Sequence, residues 1–106
     1  MPTYAKAKTL TEKAAWDFHA GLSEAERFDL VTILPGFLIG PMLRTQTSVS
    51  VDFCRALMMG EQPTVFRKKW KPVVDVREVA FAHLQAIKVK KARNRRFFCV
   101  NKTVSF

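Results

Sequence analysis

Asp29-Leu30-Val31-Thr32-Ile33-Leu34-Pro35-Gly36 is the stretch on which the fold turns. Apolar residues occupy nearly every position from Leu30 to Leu34. That is the pattern of a parallel strand covered on both faces, where an edge strand would alternate with polar residues. Pro35-Gly36 ends the strand, and a loop carrying Gly40-Pro41 follows. Upstream, residues 4–20 suit a helix, with Ala7, Leu10, Ala14 and Phe18 as its apolar stripe. Pro2 and Thr3 supply starting signals and Gly21 a stop. Downstream, Ser48 or Ser50 can cap a second helix whose apolar face holds Val51, Cys54, Leu57 and Met58, with Gly60 as its end. Residues 62–71 read as loop and Val73-Val74 as a very short strand. Asp75 then offers an N-cap, with Glu78 at capping-box spacing. Val76, Val79, Ala80, His83, Leu84 and Ile87 form a third helical stripe, which makes His83 a packed core residue. Arg96-Phe97-Phe98-Cys99-Val100-Asn101 closes the chain as a buried strand. The order is helix, strand, helix, short strand, helix, strand, and such alternation predicts α/β layering.

Composition narrows the classes of function. Val, Leu, Ile and Phe make up 31 of 106 residues, well above the floor of about 20% below which chains stay disordered. No uncharged apolar run approaches the roughly 18 residues of a membrane span, because Pro35, Gly36, Gly40 and Pro41 cut the longest one. Membrane insertion is therefore not expected, and the residues after Met1 do not read as a signal peptide. The two cysteines, Cys54 and Cys99, sit among apolar neighbours and form no C-x-x-C pair. They read as buried, inert thiols of a reducing compartment, so a cytoplasmic protein is expected.

Eighteen Lys and Arg against nine Asp and Glu leave a formal charge of +9. Arg67-Lys68-Lys69 with Lys71 forms one basic cluster. Lys88, Lys90, Lys91, Arg93, Arg95 and Arg96 form the other. A polyanion could sit on such a patch, but the second cluster begins where a helix C-terminus welcomes cations. Single-strand recognition also needs exposed aromatics. Nucleic acid is accordingly not the expected partner.

Tyr4 and Lys8 are four residues apart in the first helix. That spacing rises about 6 Å and returns to the same face. A phenol is a poor proton donor or acceptor at neutral pH, and an adjacent ammonium improves it by stabilising the phenolate. The pair by itself also fits a surface tyrosine beside a solvated lysine.

Four stretches together carry more. Tyr4-Ala5-Lys6-Ala7-Lys8-Thr9-Leu10-Thr11-Glu12-Lys13-Ala14-Ala15-Trp16 resembles the active-site helix of the extended short-chain dehydrogenase/reductases. It is most similar to their branch of dihydroflavonol and cinnamoyl-CoA reductases. The strand at Asp29 to Leu34, with Pro35-Gly36-Phe37-Leu38-Ile39-Gly40-Pro41 after it, resembles the family's strand and P-x-x-x-x-G-P loop. Val74-Asp75-Val76-Arg77-Glu78-Val79-Ala80 with Ala82-His83 resembles its V-D-V-R-D-V-A-x-A-H segment, and Arg96 to Val100 the strand beyond.

The resemblance implies a single partial α/β domain over 1–106: the C-terminal part of a Rossmann-type doubly wound sheet with a substrate-side segment, lacking the N-terminal dinucleotide-binding half. It implies a cofactor, NADP or NAD, and a small carbonyl substrate for the complete protein. Tyr4 would be the general acid at the carbonyl oxygen, with Lys8 tuning it and holding the nicotinamide ribose. Pro35, Gly36 and Leu38 would border the nicotinamide. Asp75 and Arg77 would be architectural, and Phe37, Phe53, Met58, Met59 and Phe66 candidates for the substrate wall. The family also places a serine or threonine well upstream of its tyrosine, where only three residues precede Tyr4. Gly21, Gly36, Gly40 and Gly60 cannot form a G-x-G-x-x-G loop. The chain alone is therefore expected to be inactive, to hold no dinucleotide tightly, and to self-associate through unpaired strand edges. Two other readings stand beside this one: a non-catalytic interaction remnant, and a small basic module for nucleic acid or another anion.

If the basic clusters touch nucleic acid, counterion release makes the binding weak, nonspecific and steeply salt-sensitive. Filter binding across a salt series should show it vanish at physiological salt. Selective binding that survives there would favour the basic module.

Overall fold

A computed structural model describes residues 3–45, 47–61 and 70–105. Helix α1 (Thr3–Ala20) leads to strands β1 (Val31–Pro35) and β2 (Phe37–Ile39). Helix α2 (Val49–Met58), strand β3 (Trp70–Asp75) and helix α3 (Val76–Lys88) follow. A 3-10 turn (Lys90–Ala92) and strands β4 (Arg95–Cys99) and β5 (Lys102–Ser105) complete the order.

The strands form two small sheets. β1 pairs parallel with β4, from Val31 opposite Arg95 to Pro35 opposite Cys99. β2 pairs parallel with β3, and β5 joins β3 antiparallel, Trp70 lying opposite Ser105. The chain passes from the first sheet to the second twice. At Gly36 the backbone N–H donates to the Cys99 carbonyl (3.1 Å), and at Asn101 it donates to the Val73 carbonyl (2.9 Å). Gly36 makes the first crossing possible by lacking a side chain. A Cβ there would stand 2.5 Å from the Pro72 carbonyl oxygen and 2.9 Å from its carbon.

Side chains alternate across the β1–β4 pair. Thr32 and Arg96, which lie opposite each other, both bond Glu12 on α1. The next pair, Ile33 and Phe97, faces a cavity shared with Ala82 and Ala86 of α3. The helices thus lie on opposite faces of the pair, which is the expected α/β layering.

Asp75 caps α3 as expected, its Oδ1 accepting from the Arg77 backbone N–H (2.8 Å). The other half of the capping box does not form, because Glu78 accepts instead from Asn101 Nδ2 (3.3 Å). Ser48 is the N-cap of α2 by position, yet its side chain makes no capping bond. Gly60 ends α2 in a Schellman motif: its N–H reaches the Leu57 carbonyl and the Glu61 N–H reaches Ala56. The left-handed φ of +70° at Gly60 explains the residue type.

Several expectations are corrected. β2 and β5 lie where loop or nothing was expected. Trp70 and Lys71 belong to β3, while residues 62–69, with Phe66 and Arg67-Lys68-Lys69, lie outside the described residues. The α2 stripe is half-buried at Val51, Cys54 and Leu57. In α3, by contrast, only Val79 of the expected stripe is buried: Val76, Ala80, His83, Leu84 and Ile87 are exposed, and the inward side chains beside Val79 are Ala82, Gln85 and Ala86. Ala7, Leu10, Ala14 and Phe18 of α1 are exposed, and its inward residues are Glu12, Trp16 and His19. Residues 31–34 of β1 are only half-buried, Phe97 and Phe98 are exposed, and both cysteines are half-buried. The reason is area, since a two-stranded sheet cannot cover two helices. Only Val73, Val74, Val79 and Ala92 form a buried apolar core among the described residues. The radius of gyration is 17.1 Å, against about 13 Å for a compact chain of this length.

Gly36→Ala should force β1 and β3 apart and destabilise the chain by about 1–3 kcal/mol, the usual cost of overpacking. Urea titration followed by far-UV circular dichroism would show the midpoint fall, whereas an unchanged midpoint would mean the crossing has slack.

Candidate active site

Tyr4, Lys8 and Glu12 recur every four residues along one face of α1, with its inward side chains Trp16 and His19 beyond them. His19 is buried, and its Nε2–H donates to the Phe28 carbonyl while its ring meets Trp16 and Phe28 edge-on. This ties the C-terminal half of the helix to the loop before β1.

Glu12 ties the middle of α1. Arg96 grips it at two points, Nε–H to Oε1 at 2.7 Å and Nη2–H to Oε2 at 3.0 Å. Thr32 Oγ1–H donates at 2.9 Å, and Trp16 Nε1–H makes a longer bond at 3.4 Å. The Arg96 bonds above all, helped by Thr32 and Trp16 against the cost of partial burial, hold the Glu12 carboxyl near a pKa of about 2. One carboxylate therefore joins α1 to both β1 and β4.

The clamped face borders a cavity of about 640 Å3 whose walls include Tyr4, Lys8, Glu12, Thr32, Pro35 and His83. Pro35 is the last residue of β1, so the cavity reaches the carboxyl end of a parallel strand, where open α/β sheets bind their ligands. Tyr4 is 76% exposed, which leaves its hydroxyl open to an incoming molecule. A phenol and an ammonium on one helix face, above a strand end, can donate a proton and hold a polar group.

Tyr4, Lys8 and Pro35 are thus brought together. Gly36 lies against Pro72 with its N–H engaged by Cys99. Leu38 lines a different cavity, of about 390 Å3, beside Pro41, Met42 and Ser48. Phe37 and Phe53 meet edge-on at 5.5 Å, and Lys71 Nζ sits 4.6 Å and 4.1 Å from their ring centroids, a cation–π clamp between α2 and its sheet. Met58 and Met59 are exposed at the end of α2.

Asp75 and Arg77 are engaged with each other. Arg77 Nε–H and Nη2–H donate to the two Asp75 oxygens at 2.9 and 2.6 Å. These bonds, with the Arg77 backbone N–H, hold the Asp75 carboxyl near a pKa of about 2. His83 corrects an expectation, for it is exposed and lines the Tyr4 cavity. Its Nδ1–H donates to the Val79 carbonyl (2.8 Å).

Glu12 and His83 are the site residues that sequence reasoning missed. The i, i+4, i+8 series from Tyr4 was a signal for Glu12. Its partner Arg96, 84 residues away, gave none. Among the described residues, no group of His, Cys, Asp and Glu could hold a metal ion, and no helix is long and apolar enough to cross a membrane.

No protein-family model matches the chain. Among curated proteins it is similar to the ketoreductase azaE of Aspergillus niger, 37% identical over 92% of this chain and 30% of that one. It is also similar to tetraketide alpha-pyrone reductase 1 of Arabidopsis thaliana (33% identical, 96% of this chain, 30% of that one). The cinnamoyl-CoA reductase CAD2 of Medicago truncatula is 35% identical over 87% of this chain and 26% of its own length. Among solved structures, Gre2 from Candida albicans superposes with a TM-score of 0.74 at 28% identity, covering 96% of this chain and 32% of that one. The Gre2 structure in complex with NADPH gives 0.72 at 29% identity, over 89% of this chain and 29% of that one. The chain spans about 30% of the length of the curated relatives it matches.

Because Glu12 is held at about 2 instead of its usual 4.5, it favours the folded state wherever it is ionised in both states. That contribution is complete above about pH 4.5 and is lost as the pH falls toward 2. In Glu12→Gln, thermal stability near neutral pH should drop by about 1 kcal/mol, and the fall between pH 4.5 and 2 should flatten. Melting curves across that range check it, and parallel curves for both proteins would mean that Glu12 bears no such load.

Proposed function

Taking as premise that this chain is kin, over some nine-tenths of its length, to the short-chain dehydrogenase/reductases, we propose that it is the active-site-helix segment of a carbonyl reductase. The substrate class is a small ketone or aldehyde, and the reverse reaction is an alcohol oxidation. The observation that carries this reading is the convergence of Tyr4, Lys8 and Pro35 on one cavity at the end of β1.

The described residues fit one end of a nicotinamide dinucleotide and not the other. Tyr4, Lys8 and the strand end at Pro35 suit a nicotinamide with its ribose hydroxyls. A pyrophosphate needs free backbone N–H groups at a glycine-rich turn. The glycines here are committed elsewhere, to ending helices or to letting strands approach. NADPH or NADH, when bound in the complete protein, supplies the hydride.

The chain's own residues do the rest. Tyr4 hydroxyl donates a proton to the carbonyl oxygen as the carbon is reduced, and Lys8 holds the ribose and stabilises the tyrosine oxygen that results. The Pro35-Gly36 turn borders the nicotinamide, whereas Leu38 lines the separate cavity beside Pro41 and Met42 and is left out of this site. Residues 1–106 act as one partial domain, and the two free thiols suit the reducing cytoplasm. Arg96 and Arg93 are engaged with Glu12 and Asp29, which supports reading these two members of the second basic cluster as structural and not as part of a nucleic-acid surface. The outer edges of β1 and β4 have no strand partner among the described residues, which supports self-association of the chain on its own.

The 106-residue chain by itself should not consume NADPH or NADH with any carbonyl compound, as read by cofactor absorbance. In a reductase completed with a glycine-rich dinucleotide-binding segment, Tyr4→Phe should lower kcat by about a hundredfold or more, the scale of lost general acid catalysis. Turnover by the chain alone, or indifference to Tyr4→Phe in the completed enzyme, would overturn the reading.

A further inference from the structure

The face of the β1–β4 pair away from α1 carries a second cavity, of about 380 Å3, which the proposed reductase chemistry does not use. Ile33 and Phe97 form its floor, and Ala82 and Ala86 of α3 form a wall. Lys91 and Arg95 are the charged residues among those lining it. Both are exposed and so stand at its opening. The neighbouring cations are already matched, Arg93 to Asp29 at 2.8 Å and Arg96 to Glu12 at 2.7 Å. Lys91 and Arg95 have no acidic partner among the described residues. An apolar chamber of ligand size with two uncompensated cations at its mouth complements a molecule with an apolar tail and an anionic head.

We propose that this cavity binds a medium-chain carboxylate, with the tail over Ile33, Ala86 and Phe97 and the carboxylate held by Lys91 and Arg95. Burial of the tail supplies most of the affinity. The cations select an anion over a neutral molecule of the same shape. The proposal does not rest on the reductase reading, because Ile33 is the one lining residue that the two cavities share and none of Tyr4, Lys8 and Pro35 lines this one.

The test is calorimetric titration of the full 106-residue chain with sodium decanoate below its micelle concentration. Decan-1-ol serves as the neutral probe with the same tail. Saturable binding of one decanoate per chain is expected, with the alcohol weaker by roughly tenfold or more. Lys91→Gln and Arg95→Gln, which alter only exposed groups, should each weaken decanoate on the order of tenfold and leave the alcohol unchanged. Ala86→Trp, with an unchanged circular dichroism spectrum, should block both ligands. The proposal fails if decanoate does not bind saturably, or if acid and alcohol bind alike. It fails equally if the two cation variants bind decanoate as well as the parent does, or if a well-folded Ala86→Trp still binds. Sedimentation provides the last arm. A dimer that decanoate does not dissociate, with no binding seen, would mean that a second copy fills the chamber.

Discussion

The Glu12 carboxylate is the joint on which the arrangement depends. α1 has little apolar surface in contact with the strands, since Leu10 and Phe18 face outward. Its position is set instead by charge-assisted bonds to Arg96 and a hydroxyl bond to Thr32. A hydrophobic contact would allow the helix to slide or roll. Directional bonds to two neighbouring strands fix both its rotation and its height. Lys8 and Tyr4 inherit that placement, because they stand about one and two turns nearer the N-terminus, respectively, on the same face.

The same joint explains how a thin core can still present a defined site. Val73, Val74 and Val79 hold α3 to β3 in one region. The β1–β4 pair, by contrast, is held by polar contacts on one side and by a partly open apolar chamber on the other. Polar anchoring positions groups precisely but contributes modest stability. A chain built this way keeps its geometry while remaining sensitive to acid and to whatever covers its exposed apolar faces.

The parts of this design that were legible in the sequence are the local ones. The apolar run at Leu30 to Leu34, the cap at Asp75 and the Tyr4–Lys8 spacing each state a short-range preference that the fold keeps. β2 escaped notice because three residues after Pro-Gly are too few to show a period. β5 escaped because Lys102-Thr103-Val104-Ser105 carries no apolar run and becomes a strand only by pairing with β3. Periodicity named the apolar face of α1 correctly but could not say whether anything lies on it. The Glu12–Arg96 bond was out of reach for a different reason, since charge pairing between distant elements depends on a topology that local pattern does not encode.

The crossing at Gly36 has a consequence for how this stretch of chain can vary in length. A single residue separates β1 from β2, and each strand is locked in parallel register to its own partner. Side chains alternate with a period of two, so one residue inserted between Pro35 and Phe37 would invert every side chain of β2 relative to β1. Residues 40–48 bear no such restriction, because they join a strand to a helix with no shared register. Insertions and deletions accumulating over evolutionary time should therefore collect in that loop and in the turn after α1, while 35–37 keeps a constant length even where its neighbours change identity.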